Sequence, residues 1–427
     1  MMNHGGKKAK TGYSLLPGLL SGILCTVILS SGVALSAANY EVPSNKQASE
    51  VLPPKLRSGP HFNVQDQVAA DGYMLRYTVN SDYGTFQVTG TYGLRKLIKE
   101  IQAIAAMKEM SRGEAFVEGV KGKAQETLEF GTNLVADPAN TLASVPKGVA
   151  KLFDNIATGL QQPREPRRDP VRQQLLNVSD AKRKIAYDLG VDVYSSNRVL
   201  QNELDSLSKA QALGSLGVSA AIPYGGGAVA GISRMSATAS QVNRLLRDES
   251  PSGLRNINEQ KLQAMGVDQS LTERLLNHTQ LSPRQKTVIV ASLEKLHGAQ
   301  GRGAFINFAL RATDEDSANF MQNIAEILAA YQQSVAPLQE ITAPGVVMAR
   351  AANGTVLIPF PLDYGVWTVR AERAVKNTLA GYKMSSRNPA NFELWVTGAV
   401  SPLARRQLEA QGIKVVENVE QRIGMMD

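Results

Sequence analysis

Hydrophobic positions change their period several times along the chain, and each change marks an element or a boundary. Residues 15–29 form an almost unbroken apolar run behind Lys7, Lys8 and Lys10, and residues 30–38 are small and weakly polar. A basic end, a short apolar segment and small residues before a cleavage point make up the pattern of a secretory leader. The pairs Ala34/Ser36 and Ser36/Ala38 place a mature start near Ala37 or Asn39. Two other readings stand beside this one. The stretch 14–38 is about long enough to span a bilayer at roughly 20 residues, so it could serve as an uncleaved anchor. A buried core helix is opposed by Pro17, Gly18 and Gly22. Cys25 follows Gly22-Ile23-Leu24, which is not a lipoprotein signature.

Four prolines (Pro43, Pro53, Pro54 and Pro60) make residues 39–61 read as an extended spacer. From Gly72 the period becomes two. Tyr73, Leu75, Tyr77 and Val79 alternate with polar neighbours, a turn follows at 80–84, and Phe86 and Val88 continue on the far side. This is a β-hairpin with one aromatic face. A lone hairpin is marginal in water, so the face needs a cover. The cover is the helix whose Leu94, Leu97, Ile98, Ile101 and Ile104 recur at helical spacing.

Helical spacing continues over 113–135, and Pro138 and Pro146 open two short helices. In the second, over 146–160, Val149, Leu152, Phe153 and Ile156 form a stripe opposite Lys147, Lys151 and Asp154. Such a stripe packs on a protein core. It also suits an anionic membrane surface, with Lys147, Lys151 and Phe153 in contact. Residues 161–172 (QQPREPRRDPVR) read as a linker. The stretch 213–239 contains six glycines and no charge before Arg234. Close helix packing or a flexible loop accounts for it, with membrane insertion as the alternative.

Ser250-Pro251, Ser282-Pro283 and Thr313-Asp314 mark successive helix starts. The acids Asp314, Glu315 and Asp316 fit a helix N-terminus, where the macrodipole favours negative charge. Beyond Pro337, Asn353-Gly354 joins strands at 346–350 and 355–360, the strongest hairpin signal in the chain. A helix over 368–380, a strand at 392–396, a helix from Pro402 to Ala410 and a strand at 413–416 follow.

The expected fold class is mainly α with α/β portions: an N-terminal β-hairpin with helices, a central helical domain and a small C-terminal α/β domain of hairpin, helix, strand, helix and strand. The expected partition is a signal peptide (1–38), a spacer (39–61), the hairpin and amphipathic helices (62–160), a Pro/Arg linker (161–172), the helical domain (173–342) and the α/β domain (343–427).

Composition narrows the chemistry. Of the net charge of +8, the leader supplies three lysines and no acid, leaving +5. Those basic residues form no single block, and nucleic acid is not expected as a partner. Cys25 is the only cysteine, so the chain beyond the leader has neither disulfide nor thiolate chemistry. Its histidines, His61, His278 and His297, lie in three unrelated contexts with no metal-ligating spacing. No metal or cofactor is expected. Ser206 and Lys209 satisfy a Ser-x-x-Lys spacing, but the companion motifs of that enzyme class are missing, and no catalytic residue is assigned.

The most site-like stretch is PFPLDYGVWT, 359–368. Asp363, Tyr364 and Trp367 there place a carboxylate beside aromatic surface, an arrangement used in sugar, peptide and amphiphile sites. The competing account has both aromatics filling core and Asp363 capping the next helix. These features together suggest an exported binding or scaffolding protein of a bacterial cell envelope, whose partner is an envelope protein, a polymer or anionic lipid. A membrane-active protein using 146–160 and 213–239 is the first alternative, and an envelope hydrolase the second.

Overall fold

The structure is a computed structural model that describes residues 40–112, 178–212, 237–385, 391–421 and 423. The leader, the 146–160 helix, the 161–172 linker and nearly all of the 213–239 stretch lie outside the described residues.

The stretch expected to be a spacer is built into the fold. It contains strand β1 (Lys46–Gln47), single-turn helices α1 (Ala48–Val51) and α2 (Pro54–Arg57), and strand β2 (Ser58–Gly59). The prolines do not block these elements because of where they sit. Pro53 precedes α2 and Pro54 occupies its first turn, where the missing N–H leaves no bond unmade. Ala48, Leu52 and Leu56 are buried.

Strands β3 (Phe62–Val64) and β4 (Gln67–Ala70) share one edge of β5 (Leu75–Ser81), and β6 (Gly84–Thr89) takes the other. Ser81 lies opposite Gly84, so β5 and β6 form the expected hairpin, closed by Asp82-Tyr83. Tyr73, Leu75, Tyr77 and Val79 are buried, as the alternation requires. The cover of Leu75, Tyr77 and Val79 is α3 (Gly90–Arg112), which packs Leu94, Leu97, Ile98 and Ile101 into the same core, whereas Tyr73 joins the main core. The second half of α3 belongs to a different core. There Ile104 and Met107 meet side chains of α4 (Asp180–Asp188), α5 (Arg198–Ala212) and α6 (Ala237–Asp248).

Helices α7 (Pro251–Ala264), α8 (Gln269–Leu276), α9 (Pro283–Glu294), α10 (Arg302–Ala309) and α11 (Glu315–Ser334) follow. Three begin where capping residues predicted. The Ser250 and Ser282 hydroxyls accept from the N–H groups of Gly253 and Gln285, and the Asp314 carboxylate accepts from Ser317 N at 2.9 Å. Helix α11 is buried on almost every side, from Phe320 and Met321 to Leu328 and Tyr331.

The C-terminal portion matches the expected order with additions. Strands β7 (Leu338–Thr342), β8 (Met348–Ala351) and β9 (Thr355–Phe360) run antiparallel in succession, and β8 and β9 form the Asn353-Gly354 hairpin. After β10 (Tyr364–Gly365) and α12 (Val369–Ser385), strand β11 (Asn391–Val396) joins β9 in parallel. The chain continues through β12 (Ala399–Val400) and α13 (Pro402–Ala410) to β13 (Ile413–Val416), which pairs in parallel with β11. The sheet order is β13-β11-β9-β8-β7, and β10 and β12 form a separate two-stranded ribbon. One continuous core joins this sheet to α8–α11. The fold is therefore mainly α with α/β portions.

Candidate functional site

The 359–368 stretch leaves the end of β9 and runs beside the turn that links β6 to α3. Gly90 forms that turn with φ +82°, a backbone conformation that selects glycine. The turn presents the Thr91 N–H to Asp363 Oδ1 at 2.8 Å, while Leu75 N–H donates to Asp363 Oδ2 at 2.9 Å. Both carboxylate oxygens are thus held by backbone donors, one from the start of β5 and one from the first turn of α3. Burial pushes the Asp363 carboxyl up, and the Leu75 and Thr91 bonds oppose that rise.

Tyr364 and Trp367 hold the same seam from other sides. Lys46 Nζ lies 4.5 Å from the centre of the Tyr364 ring, and Tyr364 N–H donates to Tyr73 O. Trp367 is only 3% exposed and belongs to the main core. Its N–H donates to Glu41 Oε2 at 2.6 Å and its carbonyl accepts from Glu41 N at 2.7 Å. The same Glu41 oxygen accepts from Ser401 Oγ at 2.5 Å. Of the three residues nominated as a ligand surface, one pins backbone, one fills core and one stacks against a lysine. Asp363 does not cap α12; Thr368 does, accepting from Ala371 N at 3.0 Å.

A narrow cleft opens beside Asp363. It lies between the β6–α3 turn, the first turns of α11 and the loops around Pro361, Thr397 and Glu420, with about 30 Å³ open to the centre of a water molecule. That is room for a water or two, or a slender ligand, rather than a large one. Arg95 and Glu420 form a bidentate pair on one wall, at 3.0 and 2.7 Å.

The cleft is also lined by Asp316, which sequence reasoning placed only at a helix start. Burial raises its carboxyl to about 7; neighbouring Asp314 and Glu315 add to the rise, whereas Thr89 and Lys96 act against it. Asp316 Oδ2 has no hydrogen-bond partner, and neither has Thr89 Oγ1, so the hydroxyl favours the ionised carboxyl by proximity without reaching bonding geometry. Asn323, two turns further along α11 and 6% exposed, also lines the cleft with Oδ1 unpartnered. The three acids at the start of α11 have separate roles. Asp314 caps, Glu315 accepts from Lys96 Nζ at 2.9 Å, and Asp316 faces the cleft. The clue available in the sequence was the spacing of Asp316, Asn319 and Asn323, a polar stripe on an otherwise buried helix.

The remaining candidates lie apart. Lys147, Lys151 and Phe153 fall outside the described residues. Ser206 and Lys209 are exposed on α5. His61 pairs with Asp82 at 2.7 Å, His278 Nε2 lies 3.1 Å from Leu310 O, and His297 is exposed. Among the described residues no histidine lines the cleft. Among the described residues no cluster of three His, Cys, Asp or Glu side chains could hold a metal ion, and no helix is long and apolar enough to cross a membrane.

No family model matches the chain, and searches of curated proteins and of solved structures each return no match.

Proposed function

We propose that the chain is an exported component of a bacterial cell envelope that binds or scaffolds a partner there. Export rests on the basic, apolar and small-residue succession of residues 7–38. The observation that carries the non-catalytic half is the use of Asp363. The acid with the best claim to chemistry holds the backbone of Leu75 and Thr91 with both oxygens, and the cleft beside it brings no histidine to a hydroxyl. A fold whose polar groups join distant segments suits a surface presented to a partner.

The test has two arms. Fractionation of producing cells, with N-terminal sequencing of the product, should place the protein in the envelope fraction with its first residue near Ala37 or Asn39. Crosslinking in that fraction should then return a specific protein or polymer. Retention in the cytosol removes the export half. Turnover of peptidoglycan or ester substrates by the purified protein, abolished by Asp363→Ala or Ser206→Ala in a variant that still folds, removes the non-catalytic half.

A further inference from the structure

Among the described residues that line the cleft beside Asp363, acids outnumber bases. Asp316, Asp363 and Glu420 line it, and among the described lining residues only Arg95 is basic. Arg95 is committed to Glu420 at 2.7 Å. The nearby Lys96 is committed to Glu100 at 3.0 Å and to Glu315 at 2.9 Å. Neither cation therefore satisfies Asp316 Oδ2.

A second group faces the same space. Asn323 is nine-tenths buried, and its Oδ1 has no partner. A buried polar oxygen without a donor is costly, which marks a position where a ligand or ordered water completes the bond. Asp316 and Asn323 are seven residues apart on α11, so they share a face about 10 Å apart along the axis. If the two acceptor oxygens keep that axial spacing, donor atoms about 2.8 Å from each on the line between them stand roughly 5 Å apart. The lining also includes apolar Met74, Phe320 and Pro361.

We infer that the cleft binds a short primary ammonium compound bearing a second hydrogen-bond donor about 5 Å away, with the ammonium on Asp316 and the second donor on Asn323. A three-carbon amino alcohol has that span and an apolar middle. Thr89 Oγ1, the third unpartnered oxygen at the cleft, provides a further acceptor for the ammonium. A metal ion is the poorer occupant, because among the described residues no three carboxylate, imidazole or thiolate groups lie close enough to hold one. This inference stands on the cleft alone and does not depend on export.

Calorimetric titration of the purified full chain at about pH 8, where Asp316 is ionised, tests it with 3-amino-1-propanol, n-propylamine and tetramethylammonium at matched ionic strength. Saturable binding of 3-amino-1-propanol is expected, with n-propylamine weaker and tetramethylammonium silent. Asp316→Asn and Asn323→Leu should each weaken the amino alcohol about tenfold, as loss of one charge-assisted or buried hydrogen bond implies. Asn323→Leu should leave n-propylamine unchanged. If Asn323→Leu fails to fold, Asn323→Gln, which advances the amide by one methylene, should shift the preference towards the shorter ethanolamine. Absence of saturable binding, an equal response to tetramethylammonium, or binding indifferent to these substitutions would overturn the assignment.

Discussion

Thr91 and Asp363 are separated by 272 positions in sequence, yet the backbone N–H of the first lies 2.8 Å from a carboxylate oxygen of the second. Thr91 also pairs its hydroxyl with Tyr77 OH at 3.0 Å. The start of α3, the aromatic face of the hairpin and the loop after β9 are therefore held at one point. Removing the carboxylate with Asp363→Ala leaves the N–H groups of Leu75 and Thr91 without acceptors. A loss of about 2–4 kcal/mol is expected, from one to a few kcal/mol for each orphaned buried donor. Asp363→Asn, which keeps one acceptor oxygen, should lose less. Urea unfolding of both variants at neutral pH measures the difference.

Asp316 makes stability depend on pH. Folding raises its carboxyl from 3.8 to about 7, so the folded chain holds this proton more tightly than the unfolded chain does. The contribution is complete below about pH 4 and is lost as pH rises through about 7. Between those limits the natural protein should lose on the order of 3 kcal/mol relative to Asp316→Asn. Denaturant midpoints of the two proteins at pH 5 and pH 8 check it, and parallel pH curves would show that the side chain is solvated.

Glu41 fastens the N-terminal segment to the C-terminal portion through Trp367 N–H and Ser401 Oγ. Glu41→Ala should release the chain around residues 40–45 and lower stability by about 1–3 kcal/mol. Limited proteolysis followed by mass spectrometry reads the release directly as new cleavage in that segment, whereas Glu41→Gln should remain largely protected.

Gly398 packs against the backbone it follows in space. A β-carbon there would stand 2.0 Å from Asp363 O, and Gly398 N–H donates to Leu362 O at 2.7 Å. Gly398→Ala must open the ribbon of β10 and β12 and should cost about 3 kcal/mol. Gly345→Ala, where a β-carbon meets nothing within 4 Å, is the matched control and should be close to neutral by thermal unfolding.

Much of the element list was legible because periodicity is a local property. The alternation from Tyr73 to Val79, the helical recurrence from Leu94 to Ile104 and the Asn353-Gly354 turn each state their geometry within a few residues. Ser250, Ser282 and Asp314 announced their helices by hydrogen bonds that close within three positions. Strand β7 carries only two buried apolar residues, Leu338 and Ile341, while β10 and β12 are two residues each. Signals that short cannot be told from loop. The prolines of 39–61 pointed to a spacer because proline excludes a helix interior, and that rule says nothing about the first helical turn where Pro54 lies.

Periodicity, turn chemistry and capping thus determined which segments become helix or strand and which face of each is apolar, because those properties depend on neighbours within about one turn or one pleat. The identity of the site depended on contacts between residues hundreds of positions apart. Asp363 stood out in sequence as an acid among aromatics, and only its meeting with Leu75 and Thr91 made it a clasp. Asp316 read as one of three interchangeable acids. Packing of α3 and the C-terminal loops around α11 gave Glu315 a lysine and left Asp316 Oδ2 buried without a partner. Burial and pairing set the chemistry of a carboxylate, and both are properties of the tertiary fold.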